Sequence, residues 1–336
     1  MQKLAVTFLM SGGLITNYYC VSRCRHCLYR CSPQWPKDYI SPEVTCSNLE
    51  TMKKMQCQSI HIGGGEPLLN PEGLLRVLEI ANDMGLHIEY VETNSAWFKN
   101  YESARAILRS LADNGLSTLL ISISPFHNEH IPFYKVKSVI KTCRELGIAV
   151  FPWISAFFPE IDALDDRKKH SLEEYKALYG VDYENSILHR YWVSAGGRAL
   201  ELLAEHYPSH PVATIIEHSN GCCPELANTS HFHIDLYGNY IPGLCAGLAI
   251  RREDLDAPLD ETEYPLLTVL YNHGIGGLLD YVRDHYNYTP AKTAYAHKCE
   301  LCAEIRFFLV NKAGVTSHEL QPVRHYGEGK FEITNK

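Results

Sequence analysis

The sequence predicts an α/β protein in which a partial (β/α)6 TIM-like barrel is followed by a small C-terminal α+β domain. Three segments with helical periodicity end at Gly85, Gly115 and Gly147, and an apolar run of strand length follows each glycine. A βα unit repeated about every 31 residues is typical of a parallel barrel or an open parallel sheet. The repeat stops near residue 205, so we expect one domain over residues 1–205 and a second over 206–336.

Composition limits the functional classes. The chain has 336 residues, of which 46% are hydrophobic, and this is enough to build a full core. The net charge is −8 and the basic residues are dispersed, which argues against a nucleic-acid partner. No apolar run approaches the roughly 20 residues of a membrane span, and no signal peptide is recognisable. We therefore expect a cytoplasmic protein without a membrane partner, and metal ligation explains the clustered spacings among its 12 cysteines better than disulfides do.

The first elements are predicted from local patterns. Residues 3–10 alternate loosely and predict a strand, which Ser11-Gly12-Gly13 would end. A helix is expected over residues 43–57, with Ser41 as its N-cap and Pro42 in the first turn.

The repeat itself predicts alternating strands and helices. Asn70 followed by Pro71 is a helix start, and two further helices are expected near 101–113 and 132–146. The predicted strands cover residues 59–62, 86–91, 116–123, 148–154 and, as the sixth strand, 191–194. The polar segment 159–186 is interpreted as an insertion or lid before that last strand.

Polar side chains follow the predicted strands. Gly63-Gly64-Gly65-Glu66 follows the first strand of the repeat, and the later strands end near Glu92, Asn94, Ser122 and Ser124. In barrels of parallel strands, ligands bind at the carboxyl ends of the strands. Glycines there allow the backbone to approach a ligand closely, which a plain turn would not require three times in succession.

Three cysteines, Cys20, Cys24 and Cys27, lie within eight residues. Such a short spacing places three thiols on one compact loop. Four thiolates complete an iron–sulfur cluster, whereas three leave one iron with an open position for chemistry. A zinc knuckle is the alternative, although the paired second half that such sites carry is missing nearby. Cys31 is interpreted as a neighbouring thiol.

The cysteine loop and the Gly63–Glu66 segment together resemble the signature of the radical S-adenosylmethionine (SAM) superfamily, over roughly residues 1–205. The resemblance implies a [4Fe–4S] cluster on the three thiolates and SAM at its open iron. Reductive cleavage of SAM would then yield a 5′-deoxyadenosyl radical, with the electron coming from a donor such as flavodoxin or ferredoxin. It also implies that Glu66 and the glycines bind the methionine ammonium.

Further cofactor contacts follow from the same resemblance. The family places contacts to the SAM ribose and adenine on the strand ends, here Glu92, Asn94, Ser122 and Ser124. Arg198, in Gly197-Arg198-Ala199, is a candidate for binding a carboxylate, and a structural salt bridge is the alternative. His127 is a weaker candidate contact. No catalytic side chain is identified from the sequence.

A second set of cysteines occupies the C-terminal third: Cys222, Cys223, Cys245, Cys299 and Cys302. Their spacing, with a predicted hairpin leading to Cys245, resembles the twitch subdomain, a short form of the SPASM domain. The resemblance implies an auxiliary [4Fe–4S] cluster bound by Cys245, Cys299, Cys302 and, in preference to Cys222, Cys223. A zinc site that includes His231 or His233 is the rival interpretation.

The resulting hypothesis is an enzyme that abstracts a hydrogen atom from a small molecule, with a two-electron oxidation assisted by the auxiliary cluster. The first alternative is a maturase that modifies a peptide. The short segment before the cysteine loop leads us to expect no fused leader-recognition domain, which favours the small molecule. The second alternative is a non-catalytic protein that binds an iron–sulfur cluster and SAM.

Overall fold

The computed structural model describes residues 3–219 and 221–327. The chain divides into two compact units. The parallel-sheet unit consists of Gly12–Cys24 and Cys31–Val193. Among the described residues, the cysteine-rich unit contains residues 3–11, Arg25–Arg30, 194–219 and 221–327.

The parallel-sheet unit is built on five neighbouring strands, in the order β5-β4-β3-β2-β1. Their bounds are β1 Ser11–Ile15, β2 Ser59–Gly63, β3 Ile88–Thr93, β4 Thr118–Ser122 and β5 Ala149–Trp153. The strands from β2 to β5 pair in parallel. Since Thr93 pairs with Ile121, the carboxyl ends of β3 and β4 lie side by side. This is an α/β parallel sheet consistent with a partial barrel.

Eight helices belong to this unit: α1 Pro42–Lys54, α2 Pro71–Asp83, α3 Tyr101–Asp113, α4 Pro125–Asn128, α5 Phe133–Leu146, α6 Phe158–Asp162, α7 Leu172–Tyr179 and α8 Tyr183–Arg190. The side chains of Ser41 and Asn70 accept hydrogen bonds from the first turns of α1 and α2, as predicted. Gly147 ends α5 in the left-handed conformation, also as predicted. The expected βα repeat is therefore confirmed through β5.

The prediction for the first strand is wrong. Residues 3–10 form no strand, and the backbone around Leu4 and Val6 instead accepts hydrogen bonds from Leu259 and Asp256. The strand begins at Ser11 and contains both glycines that were expected to end it. A Cβ at Gly13 would lie 2.5 Å from the His61 side chain, so glycine is needed here because β2 packs closely, and not because the chain turns.

The prediction of a sixth strand at residues 191–194 is also wrong, because this segment pairs with no other strand in the described part of the chain. Tyr191 is extended, but an extended apolar segment becomes a strand only when a neighbouring strand offers its backbone groups. The polar segment before it folds into α6, α7 and α8. The described part of the unit therefore has five strands, of which four lie where the sequence predicts them and β1 replaces the strand expected at residues 3–10.

The cysteine-rich unit has an α+β architecture. It contains helices α9 Ala199–His206, α10 Val212–His218, α11 Pro265–Tyr286 and α12 Lys298–Asn311. Its strands are β6 His210–Pro211, β7 Phe232–Asp235, β8 Asn239–Ile241, β9 Ile250–Arg251 and β10 Ala294–Tyr295. The strands β7, β8 and β9 form an antiparallel meander, which contains the predicted hairpin, and β10 pairs with β6.

Asp235 stabilises the hairpin turn by accepting hydrogen bonds from the backbone of Tyr237 and Asn239. None of the helices in the described residues combines the length and the apolar character that a membrane crossing requires.

Candidate functional site

The segment that leads into the cysteine loop is hydrogen-bonded to the glycine segment after β2. The Thr16 N–H donates to the Gly63 carbonyl at 3.0 Å, and the Gly65 N–H donates to the Asn17 carbonyl at 2.6 Å. The Asn17 amide donates to the Glu66 carbonyl at 3.2 Å. Residues 16–19 and 63–66 are thus joined backbone to backbone, directly before Cys20.

The glycines are required by this close approach. A Cβ at Gly65 would lie 2.2 Å from the Tyr19 carbonyl oxygen, and one at Gly64 would lie 2.5 Å from the Asn17 side-chain oxygen. No side chain fits in either space. At Gly63, a Cβ would lie 2.9 Å from a carboxylate oxygen of Glu92.

Glu66 is completely buried, and its carboxylate is occupied by protein donors. It accepts hydrogen bonds from the Leu68 N–H at 3.1 Å, the Thr93 hydroxyl at 2.9 Å and the Asn94 N–H at 2.7 Å. Burial raises the pKa of Glu66 to about 7, although the three donors act in the opposite direction. The carboxylate therefore connects the glycine segment to the end of β3.

Asn94 connects that strand end to the cysteine loop. Its side-chain N–H donates to the Cys20 sulfur at 3.3 Å, and its side-chain oxygen accepts from the Ala96 N–H at 2.9 Å. The backbone N–H of Ser22 also points at the Cys20 sulfur, at 3.4 Å. Two N–H donors directed at one buried sulfur fit a thiolate that is bound to a metal.

The three cysteines of the loop are divided between the units. Cys20 and Cys24 are 5% and 7% exposed and belong to the parallel-sheet unit, whereas the half-buried Cys27 belongs to the cysteine-rich unit. In that second unit the Arg198 N–H donates to the Cys27 carbonyl at 3.0 Å. A Cβ at Gly197 would lie 2.0 Å from the Leu28 carbonyl oxygen. The Gly197-Arg198 motif therefore holds the backbone of the loop near Cys27.

The remaining predicted contacts lie at the ends of β3 and β4. The Ser124 hydroxyl caps α4 and hydrogen-bonds to the His127 Nδ1 at 2.7 Å, and burial lowers the pKa of His127 to about 3. Burial raises the pKa of Glu92 to about 7. Ser122 is half-buried at the end of β4. Sequence reasoning found these positions but did not foresee that Ser124 and His127 bind each other.

An aromatic row, formed by His61, Tyr90, Phe151 and Trp153, crosses one face of the parallel sheet. The rings of His61 and Tyr90 stack at 4.9 Å, and Tyr90 contacts Phe151 edge to face at 6.4 Å. Phe151 contacts Trp153 and is 46% exposed. The row gives this face an apolar surface with Glu92 beside it.

The second set of cysteines converges inside the cysteine-rich unit. Burial and the neighbouring Cys302 raise the pKa of Cys223 and of Cys245 to about 12, and burial and Cys245 raise that of Cys299 well above its usual value. Cys299 and Cys302 lie one turn apart at the start of α12. Cys222, by contrast, is exposed. The thiols of Cys223, Cys245, Cys299 and Cys302 all lie in this cluster, and Cys222 also lies near Cys223.

Arg306 lies beside these thiols and is only 6% exposed. Its guanidinium donates to the Cys302 carbonyl at 3.3 Å, the Ala246 carbonyl at 2.9 Å and the Tyr326 hydroxyl at 3.2 Å. Within the described residues, these acceptors are all uncharged. A buried cation requires a compensating negative charge, and metal-bound thiolates would provide it.

The histidines of the rival zinc interpretation make other contacts. The Tyr29 hydroxyl hydrogen-bonds to the His233 Nδ1 at 2.7 Å, and the His231 ring lies edge to face with the His233 ring at 5.2 Å.

Sequence reasoning missed three functional positions. Nothing in the sequence marks Asn17 as the side chain that binds the Glu66 carbonyl, or Thr93 as a donor to the Glu66 carboxylate. Arg306 could have been noticed, because it is followed by the apolar run Phe307-Phe308-Leu309-Val310, where a charged residue is unusual.

With this geometry in view, comparisons with known proteins find a family match in the N-terminal half of the chain. A family model described as the Radical SAM superfamily matches residues 14–175, a range that includes the cysteine loop, the glycine segment and the ends of β3 and β4. A comparison with curated proteins gives no match.

Several solved structures are similar in fold at low identity. Native anSMEcpe with bound AdoMet and Cp18Cys peptide is 15% identical, with 69% of this chain and 73% of that chain covered and a TM-score of 0.38. BtrN in complex with AdoMet and 2-DOIA is 14% identical, with 82% and 91% covered and a TM-score of 0.40. Streptococcus suis SuiB bound to precursor peptide SuiA is 15% identical, with 94% and 76% covered and a TM-score of 0.33.

The close packing at Gly197 gives a first prediction, on the substitution Gly197→Ala. Gly197 has φ +56°, and Gly314 in the same unit has φ +66° with no atom within 4 Å of the Cβ site. Gly314→Ala should therefore lose only the left-handed backbone preference, about 1–2 kcal/mol. Gly197→Ala should lose more and should also displace the Cys27 backbone. Thermal unfolding and the iron bound after anaerobic reconstitution measure both effects. Equal stability and equal iron in the two variants would contradict the packing argument.

The raised pKa of Glu66 gives a second prediction, on pH dependence. A carboxyl group whose pKa rises on folding stabilises the fold fully below its unfolded pKa, and this stabilisation is lost as the pH rises through about 7. Unfolding of the metal-free chain should therefore become easier from pH 5 to pH 8, and Glu66→Gln should reduce that slope. All four tryptophans lie in the parallel-sheet unit, so their fluorescence follows this transition in urea. An unchanged slope in the variant would refute the prediction.

Proposed function

We propose that this chain, a radical SAM enzyme whose radical SAM domain spans residues 14–175, binds a [4Fe–4S] cluster through Cys20, Cys24 and Cys27 and cleaves SAM reductively there. The observation that carries the proposal is the backbone docking of residues 16–19 onto the glycine segment 63–66. This docking fixes the start of the cysteine loop against the edge that would bind the cofactor. The family match favours an enzyme over the non-catalytic alternative.

When bound, the cluster would pass one electron to SAM, breaking the S–C5′ bond to give methionine and a 5′-deoxyadenosyl radical that takes a hydrogen atom from substrate. The chain contributes position and exclusion of water. The buried Cys20 and Cys24 limit the access of water to the loop, and Gly64 and Gly65 allow the glycine segment to pack directly against residues 16–19.

The structure supports a modified role for Glu66 in this proposal. Its carboxylate already accepts three protein hydrogen bonds, so we assign the methionine ammonium to the backbone carbonyls of the glycine segment. Glu66 would act by holding that segment in place. Glu92, Ser122, Ser124 and Arg198 keep their proposed roles as contacts to the rest of SAM.

We further propose a small molecule as the substrate, oxidised by two electrons. The aromatic row supports this choice, because the exposed Phe151 ring and the half-buried rings of Tyr90 and Trp153, with the Glu92 carboxyl group beside Tyr90, suit a compact ligand with apolar and polar edges. A peptide is the alternative substrate. An electron donor such as flavodoxin or ferredoxin would reduce the cluster.

The proposal includes a second metal centre, an auxiliary [4Fe–4S] cluster on Cys223, Cys245, Cys299 and Cys302 in a domain over residues 206–336. The buried Arg306 beside these thiols supports an anionic centre, because metal-bound thiolates would supply the negative charge that a buried cation requires. These four cysteines would hold a group able to take one electron from the substrate radical, which together with loss of a proton would complete the two-electron oxidation.

The first cluster is tested by replacing Cys20, Cys24 and Cys27 together with alanine. Loss of all three ligands should remove one cluster of four irons and all formation of 5′-deoxyadenosine from SAM under reducing, anaerobic conditions. Replacing Cys46, Cys57 and Cys143, which the proposal does not use, is the matched control and should leave both readouts intact. Continued SAM cleavage in the first variant would show the assignment to be wrong.

The second centre is tested by counting metal. Reconstituted wild-type protein should hold about eight irons per chain, and the Cys20/Cys24/Cys27 variant should keep about half of them with a cluster signal in its Mössbauer spectrum. Replacing Cys245 and Cys302 should remove the other half. Zinc in place of the residual iron would establish the rival site, and no residual metal would mean that these thiols bind none.

A further inference from the structure

Asn94 makes a contact that cofactor binding does not explain, because its side-chain amide is directed at a proposed cluster ligand. We propose that Asn94 sets the reduction potential of the cluster bound by Cys20, by donating an N–H···S hydrogen bond to that thiolate. The inference rests on the proposed function, which places the cluster on Cys20. Asn94 is a positioning and tuning residue here, since it acts through the sulfur.

The orientation of the amide follows from its partners. The side-chain oxygen accepts from the Ala96 N–H at 2.9 Å, and a backbone N–H can only donate. The side-chain nitrogen must therefore face the Cys20 sulfur, which lies 3.3 Å away. The reversed amide would place one N–H against another and an oxygen against the sulfur.

The amide is held rigidly on its strand end. The Asn94 backbone N–H donates to the buried Glu66 carboxylate at 2.7 Å. The preceding Thr93 hydroxyl donates to the same carboxylate and accepts from the Trp97 indole N–H at 3.0 Å. Asn94 is 8% exposed and Cys20 is 5% exposed, so water competes little for either group.

The consequence for the cluster is electrostatic. A donor directed at a ligand sulfur stabilises negative charge on it, and the reduced cluster carries more negative charge than the oxidised one. Hydrogen bonds to the sulfurs are among the factors that set the potential of an iron–sulfur cluster. The Asn94 contact therefore favours the reduced state, which is the state that reacts with SAM. The Ser22 N–H adds a backbone donor that a side-chain substitution leaves in place.

The test is a redox titration of the reconstituted full-length chain without SAM, followed by electron paramagnetic resonance. The signal that changes when SAM is added afterwards identifies the Cys20 cluster among the two proposed. Asn94→Leu removes the donor at similar volume and should shift the midpoint to a more negative potential. Asn94→Asp places a carboxylate oxygen against the sulfur and should shift it further. Neither shift requires turnover.

Asn128 supplies the matched control. It is a buried amide of the same unit, 3% exposed, that donates to the Ile131 carbonyl at 3.0 Å and accepts from the Tyr175 hydroxyl. Asn128→Leu should leave the midpoint unchanged.

Four outcomes are decisive. An unchanged midpoint potential in Asn94→Leu would overturn the inference. Loss of the cluster in Asn94→Leu, while Asn128→Leu keeps its cluster, would also overturn it, because Asn94 would then only hold the loop in place. Weaker SAM binding with an unchanged midpoint would make Asn94 an ordinary cofactor contact, as the family resemblance implies. Absence of any SAM-responsive signal in the wild-type chain would refute the proposed function itself.

Discussion

The parallel-sheet unit depends on two backbone segments lying closer together than side chains would allow. Residues 16–19 and 63–66 are joined by main-chain hydrogen bonds, and the Cβ positions of Gly64 and Gly65 are filled by the opposite segment. A glycine at the end of β2 is thus needed before any ligand arrives. This constraint fixes where Cys20 begins its loop, because Cys20 directly follows the docked segment. Contact with a cofactor would be a second use of the same geometry.

The Glu66 carboxylate extends that constraint across the sheet. Its three donors come from the turn after the glycines and from the end of β3, so one buried group connects both strand ends. An unpaired carboxylate in this position would be costly, whereas three donors offset much of the cost. The Asn94 backbone N–H is one of those donors, and the Asn94 side chain also contacts the Cys20 sulfur. A substitution at Glu66 would therefore alter the position of Asn94 and, through it, the hydrogen bond to Cys20. Glu66 and Asn94 therefore belong to one hydrogen-bonded network.

Sequence patterns predicted the elements whose signals are local. The caps at Ser41 and Asn70 and the glycine at 147 determine helix ends through hydrogen bonds within a few residues, and the structure confirms them. The errors involve distant partners. The sequence predicts that Gly13 helps to end a strand, whereas Gly13 lies inside β1. Nothing in the sequence shows that His61 packs against it. The strand expected at 191–194 fails for the same reason, since a ladder needs a neighbour that sequence periodicity does not reveal.

The candidate site residues show the same difference between local signals, which the sequence reveals, and distant partners, which it does not. Their spacing placed Glu66, Asn94 and Ser124 at strand ends, yet the partner of each side chain came only from the fold. Glu66 faces protein donors, and Ser124 binds His127. The cysteine sets were visible because thiols are chemically distinctive, whereas Asn17 and Thr93 are common residues whose roles depend on contacts 49 and 27 positions away.

Buried charge is the consideration that relates the two cysteine sets. In the parallel-sheet unit, the Asn94 side-chain amide donates to the Cys20 sulfur. In the cysteine-rich unit, the Arg306 guanidinium lies near Cys302 and Cys245. Without metal, burial keeps the thiol of Cys245 protonated at neutral pH, so Arg306 would be a buried cation beside uncharged groups. Metal ligation would convert those thiols to thiolates and supply the missing negative charge. With the proposed metal centre in place, the folding of the cysteine-rich unit and its metal content should depend on each other.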